Sequence, residues 1–106
     1  LPSHPQYDLA QRQVKAGGGM ITALLDGGLT EARKFLSATR VFTLAESLGG
    51  VESLIEHPGI MTHASIPPDR RAAIGIDDRL VRLSVGIEHV DDQLSDLDQA
   101  LRAAFA

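Results

Sequence analysis

The stretch "LVRLSVGIE", residues 80–88, constrains the fold more than any other part of the chain. It alternates: Val81, Leu83, Val85 and Ile87 fall on one face, and Leu80, Arg82, Ser84 and Gly86 on the other. A period of two marks a strand with one face against a core. Arg82 is the complication. A guanidinium cannot shed its proton, so in an apolar strand it requires an anionic or strongly hydrogen-bonding partner. Two readings stand. Arg82 faces outward on a half-exposed sheet, or it clamps a carboxylate, whose two oxygens match the guanidinium fork. Ser84 and Gly86 on the same face would leave room for such a ligand.

The remaining elements arrange themselves around that strand. Residues 1–17 read as an extended lead-in and a polar linker helix from Gln6 to Lys15, ended by Gly17-Gly18-Gly19. Residues 18–106 read as one α+β domain. Met20–Leu25 has the length of a strand and closes on Asp26-Gly27-Gly28. Thr30 can cap a helix in which Leu29, Ala32, Phe35 and Leu36 share a face. Arg40–Ser47 and Val51–Ile55 read as strands on either side of Gly49-Gly50. Pro67-Pro68-Asp69 suits the first turn of a short helix that Gly75 ends. From Val90 onward, Val90, Leu94, Leu97, Leu101 and Phe105 form one apolar helical stripe. Asp91 and Asp92 in the first turn and Arg102 in the last suit the helix dipole. The order β-α-β-β-α-β-α implies a small, mainly antiparallel sheet with helices packed on one face.

Function is less legible. A net charge of −4 and the lack of a basic block interleaved with aromatics argue against nucleic acid as a partner. No apolar run reaches the roughly 18 to 20 residues that span a bilayer, so no membrane partner is expected. The chain has no cysteine, which fits a cytoplasmic protein. It opens on Leu1 rather than Met, which reads as processed, truncated or cut from something longer. His4, His57, His63 and His89 have no metal-ligand spacing and read as solvated or core-satisfied imidazoles. "TLAESLGGVESL", residues 43–54, is more informative. Glu46 and Ser47 sit beside two glycines that permit backbone conformations other residues avoid. They form a polar turn closing a hairpin or bulge, or they are presented to a ligand that the main chain approaches.

"FTLAESLGGVESLIEHPGIMTHASIP" followed by "GIDDRLVRLSVGIEHVDDQLSDLDQAL" closely resembles the C-terminal domain of the pyridoxal-phosphate (PLP) enzymes of cysteine and methionine metabolism. That family includes cystathionine γ-synthase, cystathionine γ-lyase, cystathionine β-lyase and methionine γ-lyase. "LPSHPQYDLAQRQ" looks like the family's approach to that domain, so the resemblance covers essentially the whole chain. It implies a fold-type I enzyme in which Arg82 binds the α-carboxylate of an amino-acid substrate. Ser47 would lie beside the cofactor, Leu48 in the same pocket wall, and Thr62 would be a partner of that serine. Cystathionine-handling members carry glutamate before the serine, as Glu46 does, whereas methionine γ-lyases carry an aliphatic residue.

The family's aldimine lysine and its phosphate-gripping residues belong to a preceding large domain. Lys15 and Lys34 do not stand in that context, so no catalytic or cofactor-binding residue is expected in this chain. The resemblance further implies PLP held by the large domain, a homotetramer built as a dimer of dimers, and γ-replacement or γ-elimination on homoserine esters or cystathionine. The alternative is a free-standing amino-acid-binding regulatory module, with Arg82 clamping an effector carboxylate.

Overall fold

The computed structural model describes residues 1–106. Eight elements follow in order: α1 (Tyr7–Gln13), β1 (Met20–Leu24), α2 (Leu29–Ala38), β2 (Thr43–Leu44), β3 (Leu54–Glu56), α3 (Pro68–Ala73), β4 (Leu80–Ser84) and α4 (Val90–Phe105). After the linker helix, this is the order the sequence implies. The four strands form one sheet in the order β1-β4-β3-β2. β4 is antiparallel to both β1 and β3, while β2 runs parallel to β3. The sheet is therefore mixed but mainly antiparallel. No helix is long and apolar enough to cross a membrane.

Alternation along β4 assigns the two faces. Val81 and Leu83 point into a core shared with Ile55 of β3, Ala32, Phe35 and Leu36 of α2, and Ala100 and Ala104 of α4. Their cross-strand partners Ala23, Ile21 and Ile55 lie on the same face, and α2 and α4 pack together over it. The opposite face, with Thr22, Glu56, Arg82 and Ser84, carries no helix of that layer.

Two local details depart from expectation. Thr30 does not cap α2; Gly28 precedes the helix in extended conformation, and the Glu31 carboxylate accepts the Gly28 N–H at 2.8 Å. A carboxylate in the first turn also meets the positive end of the helix dipole, which makes it an effective substitute. The second departure is larger. Val90, Leu94, Leu101 and Phe105 are 57%, 60%, 39% and 45% exposed, so the apolar stripe of α4 is not its core face. Gln93, Asp96, Ala100 and Ala104 are buried instead, with Leu97 at the boundary. Small residues let the helix approach α2 closely, and each buried polar side chain is hydrogen-bonded.

Asp96 shows what such burial requires. Its carboxylate accepts the backbone N–H groups of Arg40, Val41 and Phe42 at 2.7, 2.8 and 2.9 Å, plus the Gln99 amide at 3.0 Å. Three successive donors from the loop after α2 thus converge on one side chain, which fixes the approach to β2. Burial pushes the carboxyl up, but the Phe42, Arg40 and Val41 amides and Gln99 together outweigh it and hold it below its ordinary value. A lowered folded-state value adds stability above the unfolded carboxyl's pKa and loses it as pH falls through the folded one. Asp96→Asn should therefore cost about 2 kcal/mol at neutral pH, the scale of hydrogen bonds to a charged group. In urea titrations the gap between variant and parent should close as pH falls below 3.8.

Candidate carboxylate-facing site on the open sheet face

Register builds the site. Glu56 of β3 and Thr22 of β1 both pair with Arg82 of β4, so the three side chains stand abreast on the face opposite the α2–α4 layer. Glu56 is 1% exposed, and its Oε2 meets Nη2 of Arg82 in an ion pair. Its Oε1 accepts the hydroxyl of Thr62, which also lies 2.9 Å from Nδ1 of His63. The Arg82 side chain is 22% exposed, and Nη2 also donates to the Glu46 carbonyl at 3.2 Å. Both contacts use one nitrogen. Nε and Nη1 donate no hydrogen bond within the protein and keep their hydrogens for another acceptor.

The loop that carries Glu46, Ser47 and Leu48 follows from topology. β2 and β3 run parallel, so no tight hairpin can join them, and the chain must return along the strand length before entering β3. Residues 45–53 make that return as a loop whose residues 46–52 are exposed. It is pinned at Gly49, whose N–H donates to Ser84 Oγ at 2.7 Å. Gly49 has φ +75°, a left-handed conformation that residues with a Cβ rarely adopt. Val51 and Glu52 lie outside any strand, and β3 begins only at Leu54. The hairpin reading of this segment is therefore replaced by a parallel crossover.

Ser84 and Gly86 do not leave room for a ligand. Ser84 is spent on the loop, and a Cβ on Gly86 would fall 2.3 Å from the Val51 carbonyl oxygen and 2.6 Å from the Ser53 nitrogen. Gly86 is glycine because another main chain crosses it. Around that crossing the Glu88 carboxylate accepts the Ser53 hydroxyl at 2.6 Å and the Ser53 N–H at 2.9 Å. Those bonds, the hydroxyl's first, hold the Glu88 carboxyl down at about 2. Gln93 donates to the Gly86 carbonyl at 3.1 Å and joins the same network.

The residues singled out in the sequence are partly gathered. Arg82 touches the main chain of Glu46, while Ser47 and Leu48 stand exposed on the same loop without a hydrogen-bonding side-chain partner. Thr62 donates to Glu56 and makes no bond to Ser47. A hydroxyl has one hydrogen, and the buried carboxylate takes it. Glu56 itself was missed by sequence reading, which ended the strand at Ile55. A charged residue next in register with Arg82 was the available signal. His57 is a core-satisfied imidazole: Nε2 bonds the Asp78 carbonyl at 2.8 Å, and Nδ1 accepts the Ile60 N–H at 3.2 Å.

Fold and site define an α+β domain that displays an ion-paired arginine on an open sheet face beside a glycine-pinned loop. The family model for Cys/Met metabolism PLP-dependent enzymes matches residues 1–102, and the chain belongs to that family. Cystathionine gamma-lyase of Dictyostelium discoideum is 55% identical over 101 residues, covering 95% of this chain and 26% of its own length. Cystathionine beta-lyase of Coxiella burnetii is 57% identical over 101 residues, with the same coverage of 95% and 26%. The crystal structure of cystathionine gamma-lyase from yeast matches with a TM-score of 0.94 at 54% identity, covering 100% of this chain and 28% of that one. The chain thus spans about a quarter of the length of the curated relatives it matches.

The residues present do not fit PLP itself. Lys34 is exposed on α2, in the layer across the sheet from Arg82, and Lys15 is exposed beyond the end of α1. Neither lysine bonds to Arg82, Glu56 or the 45–53 loop.

The crossing at Gly86 generates a direct test. Gly86→Ala would set a methyl group against two main-chain atoms that cannot turn away. It should lower the unfolding free energy by about 3 kcal/mol or more, at the upper end of overpacking costs, as measured by urea titration.

Proposed function

We propose that this chain is the substrate-carboxylate-binding part of a PLP-dependent trans-sulfuration enzyme of the cystathionine γ-synthase or γ-lyase type. The reaction would be γ-replacement or γ-elimination on a homoserine ester or cystathionine. Family membership supports the class, and the relatives' names support the chemistry. The observation that carries the residue assignment is the Arg82 to Glu46 carbonyl contact at 3.2 Å. It places a guanidinium with unspent donors beside the loop that presents Glu46, Ser47 and Leu48.

In this reading Arg82 takes the α-carboxylate and thereby fixes the orientation of the Cα–H bond. Glu46, exposed on the loop, meets the amine at the distal end of a cystathionine-like substrate, and Leu48 forms an apolar part of the wall. The site is an open surface, as expected of a domain that supplies one side of a pocket. The large domain would supply the other side, the PLP and the lysine. The exposed apolar side chains Met20, Leu24 and Leu48, 45%, 56% and 53% accessible, would face it. A cytoplasmic homotetramer completes the proposal.

In the intact enzyme, Arg82→Ala should lower kcat/KM for amino-acid substrates by about tenfold to a hundredfold, the scale of a hydrogen bond between charged groups. Arg82→Lys should not restore it, because the ammonium lacks the planar fork. Wild-type kcat/KM in both folded variants would refute the clamp.

Glu46→Val should shift substrate choice rather than stability. The ratio of kcat/KM for cystathionine to that for methionine should fall about tenfold, since only cystathionine presents a distal cation. An unchanged ratio would count against a specificity role for Glu46.

A further inference from the structure

Glu56 has no place in the site described so far except as the partner of Arg82. It is a carboxylate with 1% exposure, and its Oε2 has no partner other than the guanidinium. Its Oε1 is held by the Thr62 hydroxyl. A buried ion pair is a poor source of stability, because the desolvation it requires offsets most of the attraction. Its retention here needs another consequence, and the geometry supplies one. An arginine side chain has many rotamers, and an exposed one would present its fork in many directions. Glu56 and the Glu46 carbonyl both engage Nη2, so the guanidinium is held from one side only. Nε and Nη1 are left free in a fixed orientation. Thr62, anchored in the turn after β3, keeps the carboxylate from swinging.

We propose that Glu56 is a positioning residue, held by Thr62, that pre-orients Arg82 for recognition of the substrate α-carboxylate. This rests on the carboxylate reading of Arg82, and the test separates the two. A purely structural glutamate would affect all ligands alike. A positioning glutamate affects only those that carry the carboxylate.

The experiment is calorimetric titration of the intact enzyme with L-norleucine and with L-norleucinamide, which differ only in the carboxylate. Arg82→Ala should reduce the preference for norleucine about tenfold or more. Glu56→Leu should reduce it about fivefold or more, and Glu56→Gln, which keeps an acceptor against Nη2, should stay within about twofold of wild type. Thr62→Val, at an exposed position, should reduce it about threefold and carries the test if Glu56→Leu does not fold. Full preference in the folded Glu56→Leu and Thr62→Val variants, with preference lost in Arg82→Ala, overturns the positioning role alone. Full preference in Arg82→Ala overturns the carboxylate reading, and this inference with it.

Discussion

The buried Glu56–Arg82 pair is the interaction on which the open face of the sheet depends. A lone carboxylate at that depth would cost several kcal/mol, and a lone guanidinium somewhat less. The pair forms only when β3 and β4 adopt the register that sets Glu56 opposite Arg82. A one-residue slip would turn one of them into the Ile55–Val81–Leu83 core. Charge pairing on one face and apolar burial on the other therefore select the same alignment. The same register brings Nη2 to the Glu46 carbonyl, so the strand pair and the loop are positioned together.

Close main-chain approach is the second constraint. At Gly86 the β4–α4 connection crosses residues 51–53, just before β3, with no space for a methyl group. Ser53, Glu88 and Gln93 satisfy the polar groups that this crossing buries. Asp96 does the same for the neighbouring strand, gathering three N–H groups from the chain before β2. The 45–53 loop is held at Ala45, whose N–H donates to the Ile55 carbonyl, at Gly49 by Ser84 and at Ser53 by Glu88, and Glu46, Ser47 and Leu48 are exposed between the first two of these anchors. An exposed stretch between anchors suits a segment that must meet a ligand in a defined place.

Much of the fold was legible because the longer elements carry strong periodicity. β4, α2 and α4 announce themselves through alternation or i, i+4 spacing, and Gly75 and Pro68 punctuate α3 as expected. The parallel pairing of β2 was not legible, because two residues are too few for any period to show. The face of α4 was misassigned for an instructive reason: helix contact favoured alanines and a hydrogen-bonded aspartate over the larger leucines. Arg82 stood out as a charge in an apolar strand, but its partner did not, since Glu56 adjoins a turn and reads as a strand end. Ser47 stood out beside its glycines as a residue presented to a ligand, but roles for Leu48 and Thr62 came only through family resemblance. Nothing in their own spacing specifies chemistry, and Thr62 in the structure serves Glu56 instead.

The central claim is that Arg82, oriented from one side, receives a carboxylate on the other. A crystal structure of the intact enzyme with a bound non-reactive amino acid tests it most directly. The account predicts the ligand carboxylate at about 2.7–2.9 Å from the Arg82 guanidinium, the range of charge-assisted bonds, with Glu56 still on Nη2. A carboxylate held by another cation, with Arg82 engaged only by Glu56 and the Glu46 carbonyl, would contradict it.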